Sequence, residues 1–204
     1  QVVIEKLTGK NLEQLAQEII FQPLHMDSTS YKWQEEYGKD FAFGHKTKGE
    51  LYQKDMDNEP RSASTLETTP NDYALFMVAI MQGKILSESS YKELFQPQIR
   101  IRSLTQFPPG SNVVSSANDD IELSYGLGWG VFQTPYGKAS FKEGHGDGFQ
   151  HYTILFPEAE KGIMILSNSD NGESIFKEVL EVAVMDVYTP WEWENYVPYN
   201  LNSN

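Results

Sequence analysis

The sequence predicts an α+β fold in which helices come first, an antiparallel sheet follows and a last helix covers that sheet. Three observations predict it. Two capped amphipathic helical patterns occupy the region before Gly83. From Leu123 the pattern changes to short apolar runs separated by turns of a few residues. A final apolar stripe then returns to helical spacing between Ile175 and Ala183.

Each element has local support. Leu12, Leu15, Ala16, Ile19 and Ile20 repeat at i, i+3, i+4, i+7 and i+8, with Asn11 suited to the N-cap and Pro23 beyond the end, so a helix is expected there. Thr69 as cap, Pro70 in the first turn, the stripe Tyr73, Phe76, Met77, Ile80 and Met81, and Gly83 as terminator mark a second helix. A shorter helix from Glu88 to Gln96 is framed by Ser87 and Pro97. Residues 32–65 read as loop with a few short extended pieces, and residues 102–120, with Pro108-Pro109-Gly110, as a long polar connection suited to a lid or rim. Strand signals then run from Gly128 to Phe132 and from Ala139 to Glu143, and continue in two apolar runs joined by Glu158-Ala159-Glu160-Lys161-Gly162. Such short sequential connections imply antiparallel pairing. By domain, residues 1–120 form part of a helical region with long loops, 121–188 the sheet plus C-terminal helix, and 189–204 an aromatic and acidic tail.

Composition narrows the partners. A chain of 204 residues with 39% hydrophobic residues can bury one full core. A formal net charge of −13 opposes binding to the phosphates of nucleic acid, and no basic run is present to dock on anionic lipid. Zero cysteines remove disulfides, thiol nucleophiles and cysteine zinc sites, and leave the compartment open. No stretch approaches the roughly 20 apolar residues of a spanning helix. The start, Gln1-Val2-Val3-Ile4, enters apolar structure at once without an initiator Met and reads as a chain cut from something longer.

The stretch that carries most chemistry is Gly144-His145-Gly146-Asp147-Gly148-Phe149, a titratable imidazole among glycines between two strand-like segments. Around it stand Tyr125-Gly126-Leu127-Gly128-Trp129-Gly130, the run His151 to Pro157, and Ile163-Met164-Ile165-Leu166-Ser167-Asn168. Upstream are Glu5-Lys6-Leu7-Thr8-Gly9-Lys10, Phe21 to Tyr31, and Ala63-Ser64-Thr65-Leu66-Glu67-Thr68-Thr69-Pro70. This ordered combination resembles the C-terminal half of the serine β-lactamase and penicillin-binding-protein-like hydrolases, in the branch related to class C β-lactamases and D-alanyl-D-alanine carboxypeptidases. The resemblance implies a β-lactamase/transpeptidase-like fold whose N-terminal part is missing here.

In that family a Ser-x-x-Lys serine is the nucleophile, its lysine and a Tyr-x-Asn tyrosine handle the proton, and a Lys-Thr-Gly or His-x-Gly strand borders the substrate. The resemblance places His145 at the opening of that strand motif, to meet a substrate carboxylate or assist proton transfer. It places Gly148 where a backbone N–H completes the oxyanion hole. Asp147 departs from the pattern, standing where the family usually has Gly. Two literal Ser-x-x-Lys matches exist, Ser89 to Lys92 and Ser174 to Lys177, but both follow the segment already matched, and capping is the better reading of each. The nucleophile is therefore expected outside this chain.

Three other readings are weighed. His145, Asp147 and His151 share even spacing, which suggests a metal site, but no third strong ligand is in view and no cofactor is expected. Tyr125 and Trp129 read as sheet-packing aromatics. The tail Pro190 to Tyr199 could form a peptide or sugar platform, and is expected instead to pack back on its own domain. The expected function is the C-terminal portion of a serine hydrolase acting on a β-lactam, a D-Ala peptide or a small ester or amide, inactive alone. The alternative is a non-catalytic binding module on the same fold. Expected partners are that substrate, the missing N-terminal half and, for the isolated chain, further copies of itself; export is implied by the resemblance alone.

Overall fold

A computed structural model describes residues 1–199, so the last five residues of the 189–204 segment lie outside the described residues. The chain divides into two compact units, one formed by Gln1–Gly44 and Leu51–Ile85, the other by His45–Glu50 and Leu86–Asn204.

In the first unit, α1 (Val2–Thr8) ends at Gly9, whose φ of 69° supplies the left-handed cap. None of its residues is buried. The helix expected from Leu12 begins as α2 (Leu12–Ala16), where Asn11 accepts from the Gln14 N–H and the Gln14 side chain accepts from the Asn11 N–H. It does not stay α-helical. Residues Gln17–Phe21 wind as a π-helix, closed by a Gln22 N–H to Gln17 carbonyl bond of 3.0 Å. With a five-residue repeat, the residue that follows Ala16 onto the buried side is Phe21, while Ile19 turns outward. Phe21 and Met26 then pack with Ala16, against Tyr31 and Phe76. The second predicted helix is α3 (Pro70–Met81), capped by Thr69. Asp72 in its first turn is buried because its Oδ2 accepts from the Ser28 N–H and the Thr29 hydroxyl at 2.8 and 2.7 Å.

The second unit opens with α4 (Glu88–Leu94), capped by Ser87 as expected. Its sheet has six antiparallel strands in sequential order: β1 (Ile99–Arg100), β2 (Ser124–Tyr125), β3 (Gly130–Thr134), β4 (Gly137–Gly146), β5 (Phe149–Phe156) and β6 (Lys161–Ser167). The predicted antiparallel sheet is thus present, extended at its start by two short strands, and residues 86–120 supply α4 and β1 to this unit. Register fixes the buried face. Gly130 lies opposite Phe141, Phe132 opposite Ala139, Phe141 opposite Ile154 and Glu143 opposite Tyr152, so all project to one side. A Cβ on Gly130 would stand 2.2 Å from the Phe141 ring, so only glycine leaves that ring its place.

α5 (Phe176–Val184) and α6 (Trp191–Glu194) cover this face with Phe176, Leu180, Trp191 and Trp193, joined by Tyr196. The tail therefore packs into the core. The stripe expected on the last helix is only half used. Phe176 and Leu180 are buried, four residues apart, whereas Val182 lies about 200° round from Leu180 and is 79% exposed. The 102–120 connection is not a free lid: the Gln106 N–H donates to the Trp193 carbonyl at 2.7 Å and the Trp193 indole N–H to Ser103 Oγ at 3.0 Å.

Candidate functional site

The β4–β5 hairpin sets the site. Its strands are joined by Asp147-Gly148, and Gly148 takes the left-handed backbone at the second position, with φ 71°. Asp147 keeps an ordinary negative-side backbone, so a side chain there is accommodated without the strain that the family's usual glycine would suggest. It is exposed.

His145 is the penultimate residue of β4, opposite Gln150. Its ring is held at both nitrogens: Nδ1 is 2.8 Å from Glu173 Oε1 and Nε2 is 3.2 Å from the Tyr196 hydroxyl. Tyr196 donates its own proton to Glu143, whose other oxygen accepts from the Gln106 amide. Because the tyrosine proton is spent on Glu143, the bond between Nε2 and Tyr196 is donated by the imidazole. The His145 side chain remains 48% exposed. With both nitrogens engaged, the ring can meet an anionic ligand or exchange a proton only where one of these two contacts is given up.

Glu173 owes its place to Gln150. The Gln150 amide donates to the Asp170 carbonyl at 3.0 Å, and its oxygen accepts from the Glu173 N–H at 2.7 Å, which fixes the 3₁₀ turn Gly172–Ile175 against the sheet. Gly172 makes the approach possible, since a Cβ there would lie 2.4 Å from Ser167 Oγ. Burial pushes the Glu173 carboxyl up, with the His145 ring pulling it the other way. Tyr196 is raised by burial and then by Glu143, so its phenol keeps its proton. Glu194 on α6 is raised well above its ordinary value, first by burial and then by Glu143, while Oε1 accepts from the Tyr152 hydroxyl at 3.1 Å.

Gly148 is buried, and its N–H donates to Asp170 Oδ1 at 3.1 Å. The donor expected to face a substrate oxyanion thus has a carboxylate on it. His151 does not join His145. Even spacing would put both on one face of a continuous strand, but the turn at 147–148 intervenes, and His151 pairs with Gly144 on the opposite face. Burial lowers the His151 ring and favours its neutral form. Among the described residues, no group of three His, Asp or Glu side chains could hold a metal ion.

The two serine motifs are local structure, though not the caps expected of them. Ser89 lies inside the first turn of α4, its Oγ 3.1 Å from Ser87 Oγ, and Ser87 is the cap. Ser174 donates to the Asn171 carbonyl at 2.6 Å, and Lys177 pairs with Glu181. Tyr125 and Trp129 pack as expected, Trp129 against the Phe95 ring at 5.4 Å. Sequence reasoning missed Glu143, Glu173 and Tyr196. Glu143 was within reach, because two residues before His145 on a strand is the same face; Glu173 and Tyr196 arrive by tertiary packing.

The Beta-lactamase family matches residues 1–183. A solved structure of the octameric penicillin-binding protein homologue from Pyrococcus abyssi aligns with a TM-score of 0.70 at 19% identity. That alignment covers 96% of this chain and 42% of the other, so this chain spans less than half the length of that protein. At such identity the likeness is one of fold. No curated protein matches the chain. Among the described residues, no helix is long and apolar enough to cross a membrane.

Proposed function

This chain belongs to the beta-lactamase family, a family of serine hydrolases, and from that premise we propose that it is the C-terminal portion of an enzyme acting by acyl transfer. The substrate would be a β-lactam, a D-Ala peptide or a small ester or amide, attacked to form an acyl-enzyme that water then hydrolyses. The observation that supports this reading is His145, at the end of β4 beside the hairpin turn, with its ring steered at both nitrogens and its side chain about half exposed. The nucleophile and its base come from a part of the protein outside these 204 residues. His145 would hold a substrate carboxylate or pass a proton once Glu173 gives up its contact, and the Gly148 N–H would serve the oxyanion once Asp170 releases it.

The 204 residues alone are expected to give no turnover of a chromogenic β-lactam or ester, because an imidazole and a backbone donor do not replace a nucleophile. Turnover should appear when the upstream region of the same gene is supplied. Turnover by the chain alone would sink the proposal. A second reading, a non-catalytic binding module, is favoured by one observation, the Asp170 carboxylate on the Gly148 N–H. It predicts ligand binding but no turnover even with the upstream region present.

We propose further that the isolated chain associates with copies of itself. Val2, Val3, Ile4 and Leu7 on α1 are all more than half exposed, and so is Val182 on α5. Apolar surface left in water favours burial between chains. Sedimentation equilibrium across micromolar concentrations should show a concentration-dependent rise in mass; a monomer throughout would reject association.

A further inference from the structure

The family match ends at residue 183, yet the ring of His145 is held by a side chain from beyond it. We infer that Tyr196 is a positioning residue for His145, supplied by the segment that follows the family domain. The inference rests on the site role proposed above for His145.

The geometry runs through one chain of hydrogen bonds. Gln106 donates to Glu143, Tyr196 donates to Glu143, and His145 Nε2–H donates to Tyr196, leaving Nδ1 facing Glu173. Nε2 carries the proton donated to Tyr196, the 2.8 Å contact between Nδ1 and Glu173 Oε1 holds a second proton between ring and carboxylate, and the ring cannot flip without breaking bonds at both ends. Glu143 is linked to His145 through Tyr196. It acts by fixing the direction of the phenolic O–H, so that the tyrosine oxygen offers only a lone pair to the imidazole.

Tyr196 is well placed to do this because its ring is anchored independently of its hydroxyl. It lies 5.8 Å from the Phe176 and Trp191 rings and 6.3 Å from Tyr152, and its backbone N–H donates to the Trp191 carbonyl at 3.1 Å. A tail that served packing alone would need the ring and not the oxygen.

The test uses the 204-residue chain labelled with ¹⁵N at its histidines. The His145 Nε2 signal is expected to be of the protonated type near neutral pH, with its proton exchanging slowly with water. Tyr196→Phe keeps the anchored ring and removes the acceptor, so exchange at Nε2 should quicken roughly five- to tenfold, the scale of one net hydrogen bond, and the Nε2 signal should shift. Glu143→Gln should move the same signals in the same direction by less, although it leaves Tyr196 in place. Unchanged His145 signals in both variants would overturn the inference, and if Tyr196→Phe does not fold, Glu143→Gln decides alone. In the intact protein, Tyr196→Phe should lower kcat and leave KM unchanged. Absence of turnover in the unmodified intact protein would reject the hydrolase proposal while leaving the nitrogen signals to judge Tyr196.

Discussion

Replacing His145 with alanine in the intact protein is expected to lower kcat/KM by roughly ten- to a thousandfold, the range for losing one donor or proton-transfer group. The substitution removes both ring nitrogens at once. Glu173 then loses the contact at 2.8 Å and Tyr196 loses the imidazole N–H. Stability should change little by comparison, since the ring is about half exposed. Steady-state kinetics beside a thermal melt separate the two effects. A folded variant with unchanged kcat/KM would return His145 to a histidine that merely satisfies a strand end.

The largest loss of stability should come from Phe141→Ala, at about 3–5 kcal/mol. Phe141 is almost wholly buried between the sheet and the tail: its ring stacks on Tyr152 at 6.0 Å, meets Phe132 at 5.9 Å and meets the edge of Trp193 at 6.5 Å. Neighbours cannot refill the space, because the residue facing it across β3 is Gly130, which has no side chain to offer. For a chain of this size, a melting temperature lower by about 6–20 °C follows, at roughly 2–4 °C per kcal/mol. A shift under about 2 °C would mean that the tail is not seated on this ring. The variant should also loosen Tyr196, so its effect reaches His145 through packing.

What the sequence made legible was local. Thr69 and Ser87 announced their helices because a cap is a contact between residues three apart. The short turns of the sheet announced an antiparallel order because two strands joined by a few residues can pair no other way. What stayed hidden depended on geometry that no spacing encodes. The π-helix at Gln17–Phe21 moved the apolar stripe by one residue and turned Ile19 outward. Residues 32–65 read as loop, yet Trp33, Tyr37 and Phe41 form a ring cluster at 5.3–5.7 Å, a pattern of every fourth residue inside a polar stretch. His145 and Gly148 were found through resemblance. Their partners Glu173, Tyr196 and Asp170 lie 22 to 51 residues away in sequence and come to the hairpin only through the fold.

The proposed chemistry needs a serine from outside these 204 residues. A fluorophosphonate probe with peptide mapping, applied to the 204 residues alone and to the polypeptide that includes its upstream region, tests it most directly. No label is expected on the chain alone, and a single labelled serine is expected in the longer protein, upstream of Gln1. Stoichiometric labelling of Ser89 or Ser174 in the 204-residue chain would contradict it.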